Sequence, residues 1–499
     1  LPVSGHLSRK NCIIITKAGP NQTRTMTTYR EEPVDRAAIR QLFESQREHQ
    51  FAVARTDARQ RRAKLKRLRK AVLDRRQDIR DAVYADFKKP ETEVDLTEIY
   101  AVTTEIKHTS RHLKRWMAKH KVGTPLPFLG SRSWVEYEPK GVCLIIAPWN
   151  FPLQLALGPL VSAIAAGNTA IVKPSEHTPH TSSLIREIIE DLFDAREVAV
   201  VEGAVQTSTE LLKLPFNHIF FTGAPAIGKV VMEAAAKNLA SVTLELGGKS
   251  PTIVDETADL KTAVRRIAWG KFLNSGQICI APDYLFVHER RKEEFVRLMA
   301  KQLQELYGDN AQESGAYNRM VNEKHYERVA GYLKDAEERG ATIEIGGQRL
   351  AGEDYIAPTI VSNAPEEAQL MQEEIFGPVL PIRTFRDVQE TIDFINQRDR
   401  PLALYIYSNN KRNIRRIIDY TRAGGTCINN NDVHFMQPNL PFGGVNNSGI
   451  GKSHGWYGFE AFSNARAVYQ QLMPGALEML MPPYTDWKKR LVDWTIKWF

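Results

Sequence analysis

Cys279 lies in the run KFLNSGQICIAPDY (271–284), where Asn274, Ser275, Gly276 and Gln277 are small or polar enough for backbone to approach a reacting group. A cysteine outside a disulfide framework is most often inert core filler, and a nucleophilic one needs an activating neighbour. Two other stretches offer such neighbours. In TLELGGKSP, Glu245 sits among Val242, Leu244 and Leu246 and is followed by Gly247 and Gly248, which permit a tight turn. A carboxylate inside an apolar strand is costly unless it is solvated, paired or protonated, and that environment makes a general base. In GVCLIIAPWNFP (141–152) a strand runs into Trp149 and Asn150 and stops at Pro152, which places an amide at a strand's carboxyl end. In open α/β sheets that edge is where ligands bind.

The elements that must position these groups follow from the apolar pattern. Helical periodicity fills roughly 35–118, and then short apolar strands at 142–147, 169–173, 199–202, 217–221 and 242–246 alternate with helical stretches. This is the rhythm of a parallel sheet wound with helices. After Gly248 a second α/β run carries Cys279, the strand YLFV (284–287) and a helix over 291–306, continuing through YIAPTIV and ALYIYS to about residue 435. No repeat of solenoid length stands out.

The dinucleotide fingerprint GxGxxG is absent. Instead FFTGAPAIGKVV (220–231) follows a strand-like segment, and Gly223 and Gly228 bracket a turn opening a helix. Such an N-terminus is either a plain helix cap or a pyrophosphate site.

As a set these residues resemble the NAD(P)-dependent aldehyde dehydrogenase superfamily from about residue 35 to 472, most closely the class 3 branch that includes fatty aldehyde dehydrogenases. The strings that carry the likeness are APWNFP, SAIAAGN, VKPSE, FTGAPAIG, VTLELGGKSP, NSGQICIAPDY, MQEEIFGPVLPI, NQRDRPLALY and LPFGGVNNSGIG, in that order. The resemblance implies that Cys279 attacks the aldehyde carbonyl, that Asn150 and the Cys279 N–H hold the oxyanion, and that Glu245 activates the water that hydrolyses the thioester. It assigns the cofactor to Trp149, Lys173, Glu176, Gly223, Gly228, Leu246, Glu374 and Phe376, with Lys173 and Glu176 on the adenosine ribose and Glu374 and Phe376 on the nicotinamide side. A carboxylate at Glu176 repels a ribose phosphate and favours NAD, although class 3 relatives often accept NADP as well. Ala224, Ala226 and Asn446 depart from residues common in the family, and none of them is a chemical residue. Intact Glu245 separates the chain from the CoA-acylating branch, and Cys279, Glu245 and Asn150 together disfavour a silent scaffold.

By the same resemblance the fold is α/β, with two doubly wound α/β domains and a small β oligomerisation arm. The expected division is a non-core extension at 1–25, an NAD(P)-binding domain at 26–248 with 131–139 in the arm, and a catalytic domain at 249–436. A return to the cofactor domain at 437–462, an oligomerisation strand at 463–473 and an amphipathic tail at 474–499 follow. The expected assembly is a homodimer.

Composition bounds the rest. The chain has 499 residues, 42% of them apolar and 25% charged, as in ordinary soluble globular proteins. Four scattered cysteines (Cys12, Cys143, Cys279, Cys427) have neither metal nor disulfide spacing and fit a reducing, cytoplasmic setting. No metal is expected. The net charge of +8 comes mainly from 55–80, where Leu65, Leu68, Val72 and Ile79 recur at helical spacing, so the basic residues decorate a solvated face. Without interleaved aromatics this argues against nucleic acid. In the tail, Trp487, Leu491, Trp494 and Trp498 form one stripe among lysines. That pattern suits either an interfacial membrane helix, giving peripheral contact through 484–499, or a helix packed on a partner subunit or the substrate mouth.

Overall fold

The computed structural model describes residues 34–498. The extension expected at 1–25, Cys12, and residues 26–33 of the segment assigned to the cofactor domain lie outside the described residues, as does Phe499.

Strands Val142–Ile146, Thr169–Lys173, Val198–Val200, His218–Gly223 and Ser241–Leu246 form the parallel part of a six-stranded sheet. They are almost wholly buried, as strands covered on both faces by helices must be. The sixth strand, Gly449–Ile450, pairs antiparallel with Ser241–Leu246, so that Gly449 sits opposite Glu245. The chain winds outward from Val142–Ile146 through the next two strands, then returns to its other side with His218–Gly223. The direction of winding therefore reverses between these two strands, and the crevice at such a reversal is where open sheets bind ligands. Asn150 follows the first strand and Gly223 ends the second.

A second sheet, of seven strands, has the order Thr342–Ile345, Thr359–Ser362, Val379–Phe385, Tyr284–His288, Pro251–Val254, Ala403–Tyr407 and Gly425–Ile428, with only the first strand antiparallel. Cys279 lies on the connection between the helix Leu260–Phe272 and the strand Tyr284–His288. Ser131–Pro139 and Ser463–Gln471 pair antiparallel from Pro139↔Ser463 to Ser131↔Gln471, and His120–Lys121 adds a short third strand.

The basic segment forms two helices, Ala58–Asp74 and Arg76–Phe87, which break at Arg75. Leu65, Leu68, Val72, Ile79 and Val83 are fully buried. One basic residue departs from the solvated-face reading. Arg61 is buried and donates from Nη1 to Ala165 O (2.9 Å) and from Nη2 to Ala54 O (3.0 Å), and burial lowers its pKa to about 10. It tethers the carbonyl ends of two helices, where positive charge is favourable. The tail folds as the helix Asp486–Trp498 and buries none of its residues. No helix among the described residues is long and apolar enough to cross a membrane.

Candidate active site

After Phe272 the chain passes through Asn274, Ser275 and Gly276 at φ of 53°, 49° and 71°. Two consecutive non-glycine residues in the left-handed region cost about 1–2 kcal/mol each, so the surroundings must over-determine them. Asn274 Nδ2 donates to Asn150 O (2.9 Å) and Gln277 O (3.2 Å), and Asn318 Nδ2 donates to Asn274 Oδ1 (3.0 Å). Gln277 Nε2 donates to Asn274 O (3.0 Å) and Arg319 O (3.1 Å), while the Val321 N–H donates to Gln277 Oε1 (3.0 Å). The Asn274 N–H donates to Glu93 Oε1 at 3.0 Å. A Cβ on Gly276 would fall 2.3 Å from Gly377 O, so no side chain fits at the third position. Three residues later Cys279 emerges partly exposed. Asn150 Nδ2 donates to Gln277 O at 2.9 Å, which ties the amide to the cysteine loop and leaves its second N–H for another acceptor.

Glu245 is 6% exposed, and its Oε1 accepts from Ser453 Oγ at 2.7 Å. Its Oε2 is buried without a partner. Burial raises this carboxyl to about 8, against the opposing pull of Ser453 and the charge of Lys452. Burial likewise raises Glu374 to about 7, with Asp283 adding to it. The Cys279 thiol is pushed well above its ordinary value by burial, then by Glu374, Glu245 and Asp432. At rest the site therefore holds a neutral thiol.

Two cavities meet at this point. A wide cleft of about 750 Å³ is lined by Trp149, Asn150, Gly223, Leu246, Glu374 and Phe376 together with Glu245 and Cys279. A narrower pocket of about 110 Å³ is walled by Phe151, Trp269, Leu273, Phe435 and Phe442. Cys279, Glu245, Leu155 and Thr222 line both. Nearly all the residues expected from sequence thus converge on one junction. Gly228 lies behind it, where its missing side chain lets Leu246 in, since a Cβ there would be 2.7 Å from Leu246 Cδ2. Lys173 and Glu176 do not line the cleft. They pair with each other, Nζ to Oε2 at 2.6 Å, and His177, next in the chain, packs edge-on against His325, which lines the cleft with Trp149. Burial of Glu176 is outweighed by the charge and hydrogen bond of Lys173, which hold its carboxyl below its ordinary value.

Sequence reasoning missed Ser453, Lys452 and Arg328. Arg328 donates from Nη1 to Glu374 O (3.2 Å) and Ile375 O (3.0 Å), fixing the loop that carries Glu374 and Phe376. No short-range motif marks any of them. The LPFGGVNNSGIG string ends only just before Ser453 and was the available signal.

The residues present fit a dinucleotide. The helix Pro225–Ala236 starts at the cleft with no side chain capping it; Pro225 has no N–H and the Ile227 and Gly228 N–H groups donate to Ala224 O, which leaves the Ala226 N–H to face a phosphate oxygen. A Cβ on Gly247 would strike Glu374 Oε2 at 2.2 Å, so that glycine is what lets the carboxylate reach across the cleft. Among the described residues no cluster of His, Cys, Asp and Glu could hold a metal ion.

The profile of the aldehyde dehydrogenase family matches residues 15–468. The chain belongs to that family. It is 44% identical over 424 residues to the 4,4'-diaponeurosporen-aldehyde dehydrogenase of Staphylococcus aureus, covering 85% of this chain and 92% of that protein. It is 41% identical over 459 residues to aldehyde dehydrogenase family 3 member A2 of Rattus norvegicus, covering 92% of each. The solved substrate-bound state of Staphylococcus aureus AldH superimposes with a TM-score of 0.88 at 42% identity, over 92% of this chain and 99% of that one. As a member of the family the chain is an NAD(P)-dependent oxidoreductase acting on aldehydes.

Proposed function

We propose that the chain oxidises medium- and long-chain aliphatic aldehydes to carboxylic acids through a thioester on Cys279. The observation that carries this reading is the junction itself. One thiol and one uncompensated carboxylate share the point where an apolar pocket opens into a wide polar cleft. Glu245 takes the thiol proton, and the thiolate adds to the aldehyde carbon. The free N–H of Asn150 and the Cys279 backbone N–H receive the oxyanion, a contribution of about 2.7–4 kcal/mol per donor in comparable sites. When bound, the nicotinamide cofactor supplies the hydride acceptor. Glu245 releases the thiol proton to solvent and, ionised again, takes a proton from water, whose oxygen displaces the thiolate and releases the acid.

On the cofactor side, Trp149, Gly223, Leu246, Glu374 and Phe376 would hold the dinucleotide along the cleft, and the Lys173–Glu176 pair would meet the adenosine ribose. Glu176 favours NAD, with NADP accepted more weakly. The antiparallel arm of 131–139 and 463–471 supports a homodimer, through the strand edge that Ser463–Gln471 leaves unpaired within the chain. Trp487, Trp494 and Trp498, each more than half exposed, support peripheral membrane contact through 484–499.

A terpenoid aldehyde is the second reading, favoured by the 44% identity with a diaponeurosporen-aldehyde dehydrogenase. The test is NAD reduction by the purified chain across straight-chain aldehydes, benzaldehyde and a terpenoid aldehyde, beside Cys279→Ala. Turnover that grows with chain length and vanishes in the variant is expected. No turnover with any aldehyde, with cofactor bound, would remove the reading.

A further inference from the structure

The apolar pocket at Cys279 does not end blind. A second cavity of about 30 Å³ continues from it, and Ala101, Glu105, Gln154, Gly158, Met436 and His454 line both. The second cavity reaches Tyr100, which is half exposed, so the passage runs from the thiol to the surface beside the helix Tyr100–Trp116.

Of the residues shared by the two cavities, Gly158 alone has no side chain. It stands in the middle of the helix Pro152–Ala166, which is mostly apolar, with Gln154 and Ser162 its only polar residues, and contains no other glycine. Glycine in a helix interior is unfavourable relative to alanine, although Pro159 follows and disfavours a Cβ on the helical residue before it, so the bare backbone at 158 serves the helix as well as the passage. A Cβ at this position would lie 3.4 Å from Gln154 Nε2 and meet nothing else within 4 Å. It would be tolerated by its neighbours and would project into the passage. Met436, 38% exposed and on a different segment, contributes a flexible side chain to the same stretch.

We propose that Gly158 is the residue that sets accepted chain length. Its bare backbone keeps the inner pocket and the outer cavity continuous, so a long straight alkyl tail threads past it while the carbonyl rests at Cys279. This rests on the aldehyde-oxidising reading of Cys279, which fixes the inner end of the passage. Short aldehydes occupy only the part of the inner pocket beside Cys279, and only longer tails extend to Gly158, where the two cavities share their lining. Any side chain at 158 therefore acts on the tail and not on the reacting carbon.

The experiment uses the full chain with NAD, and reads the ratio of kcat/KM for dodecanal to that for propanal. Gly158→Leu is expected to lower this ratio by at least about tenfold, in line with the cost of a misfitted methylene in an apolar pocket, and Gly158→Ala by less. Met436→Trp narrows the same stretch from another segment and is expected to lower the ratio as well. It decides the matter if Gly158→Leu does not fold, as judged by circular dichroism. A wild-type ratio in folded Gly158→Leu, or in Met436→Trp where the leucine variant is unfolded, overturns the proposal. So does a wild-type chain that turns over propanal but not dodecanal. A wild-type chain with cofactor bound and no activity on either aldehyde strikes the reading of Cys279 instead.

Discussion

The Ser453 hydroxyl donates to Glu245 Oε1 at 2.7 Å across 208 positions of chain, while the other oxygen of the same carboxylate is buried without a partner. That asymmetry sets the behaviour of the base. One donor favours the ionised form, but burial outweighs it and raises the carboxyl to about 8.

Turnover is therefore expected to rise with pH through about 8, because the base works only when ionised. Removing the donor in Ser453→Ala destabilises the carboxylate further and moves the rise to higher pH. A hydrogen bond to a charged group is worth about 1.5–3 kcal/mol, or roughly 1–2 pH units. A profile that does not move would separate Ser453 from the base.

The same carboxyl links stability to pH. Its folded pKa lies above the unfolded value, so the stability it contributes is complete below about 4.5 and is lost as pH rises to about 8. Glu245→Gln cannot ionise and escapes that loss. Its melting temperature is expected to rise relative to wild type as pH goes from 5 to 9, while its kcat falls by about 10²–10⁴. Parallel melting curves across that range would contradict the buried, proton-holding state.

Asn150 tethers Gln277 O and is proposed as an oxyanion donor, and the two can be told apart. Asn150→Ala is expected to lower kcat by about 10²–10³, the usual cost of one donor. If donation is the cause, the rate at which iodoacetamide alkylates Cys279 stays near wild type. A matching collapse in alkylation would instead mean that the loop has come undone.

Beyond the cleft, neutralising Glu176 would remove the charge proposed to repel a ribose phosphate. Glu176→Gln is expected to lower KM for NADP relative to NAD by roughly fivefold, which corresponds to about 1 kcal/mol of repulsion between partly solvated charges. An unchanged ratio would place the Lys173–Glu176 pair outside cofactor selection.

The tail makes a separate claim. Full-length protein is expected to float with phospholipid vesicles and protein lacking 484–499 to stay at the bottom, with soluble propanal oxidised alike by both. Equal flotation would make the tryptophan helix a contact within the protein assembly.

Much of the architecture was readable because apolar periodicity and punctuation agree. The strand expected at 169–173 forms over those same residues, and the helix expected at 291–306 runs Lys292–Tyr307. Gly167 ends the helix before the first of these in the left-handed conformation. What escaped was decided at long range. Arg61 looks like any other basic residue of its helix until Ala165 O arrives beside it. The turn at Asn274–Ser275, held by Asn150, Asn318 and Arg319, and the place of Gly158 between two cavities depend on which segments fold against each other. A sequence window contains no trace of that. The long apolar run of the helix Pro152–Ala166 signals burial, but not that one face borders an open passage.

The strand Gly449–Ile450 reaches the Glu245 strand only after the whole seven-stranded sheet has been threaded. During synthesis on the ribosome the sheet edge beside Glu245 stays bare, and Ser453 is missing, until nearly all of the chain has emerged. Domains generally assemble in the order in which they are made. Here the N-terminal sheet waits for its last strand, so a truncated or stalled chain carries the cysteine but never a finished base. The carboxyl and its donor meet only once the second sheet has been made.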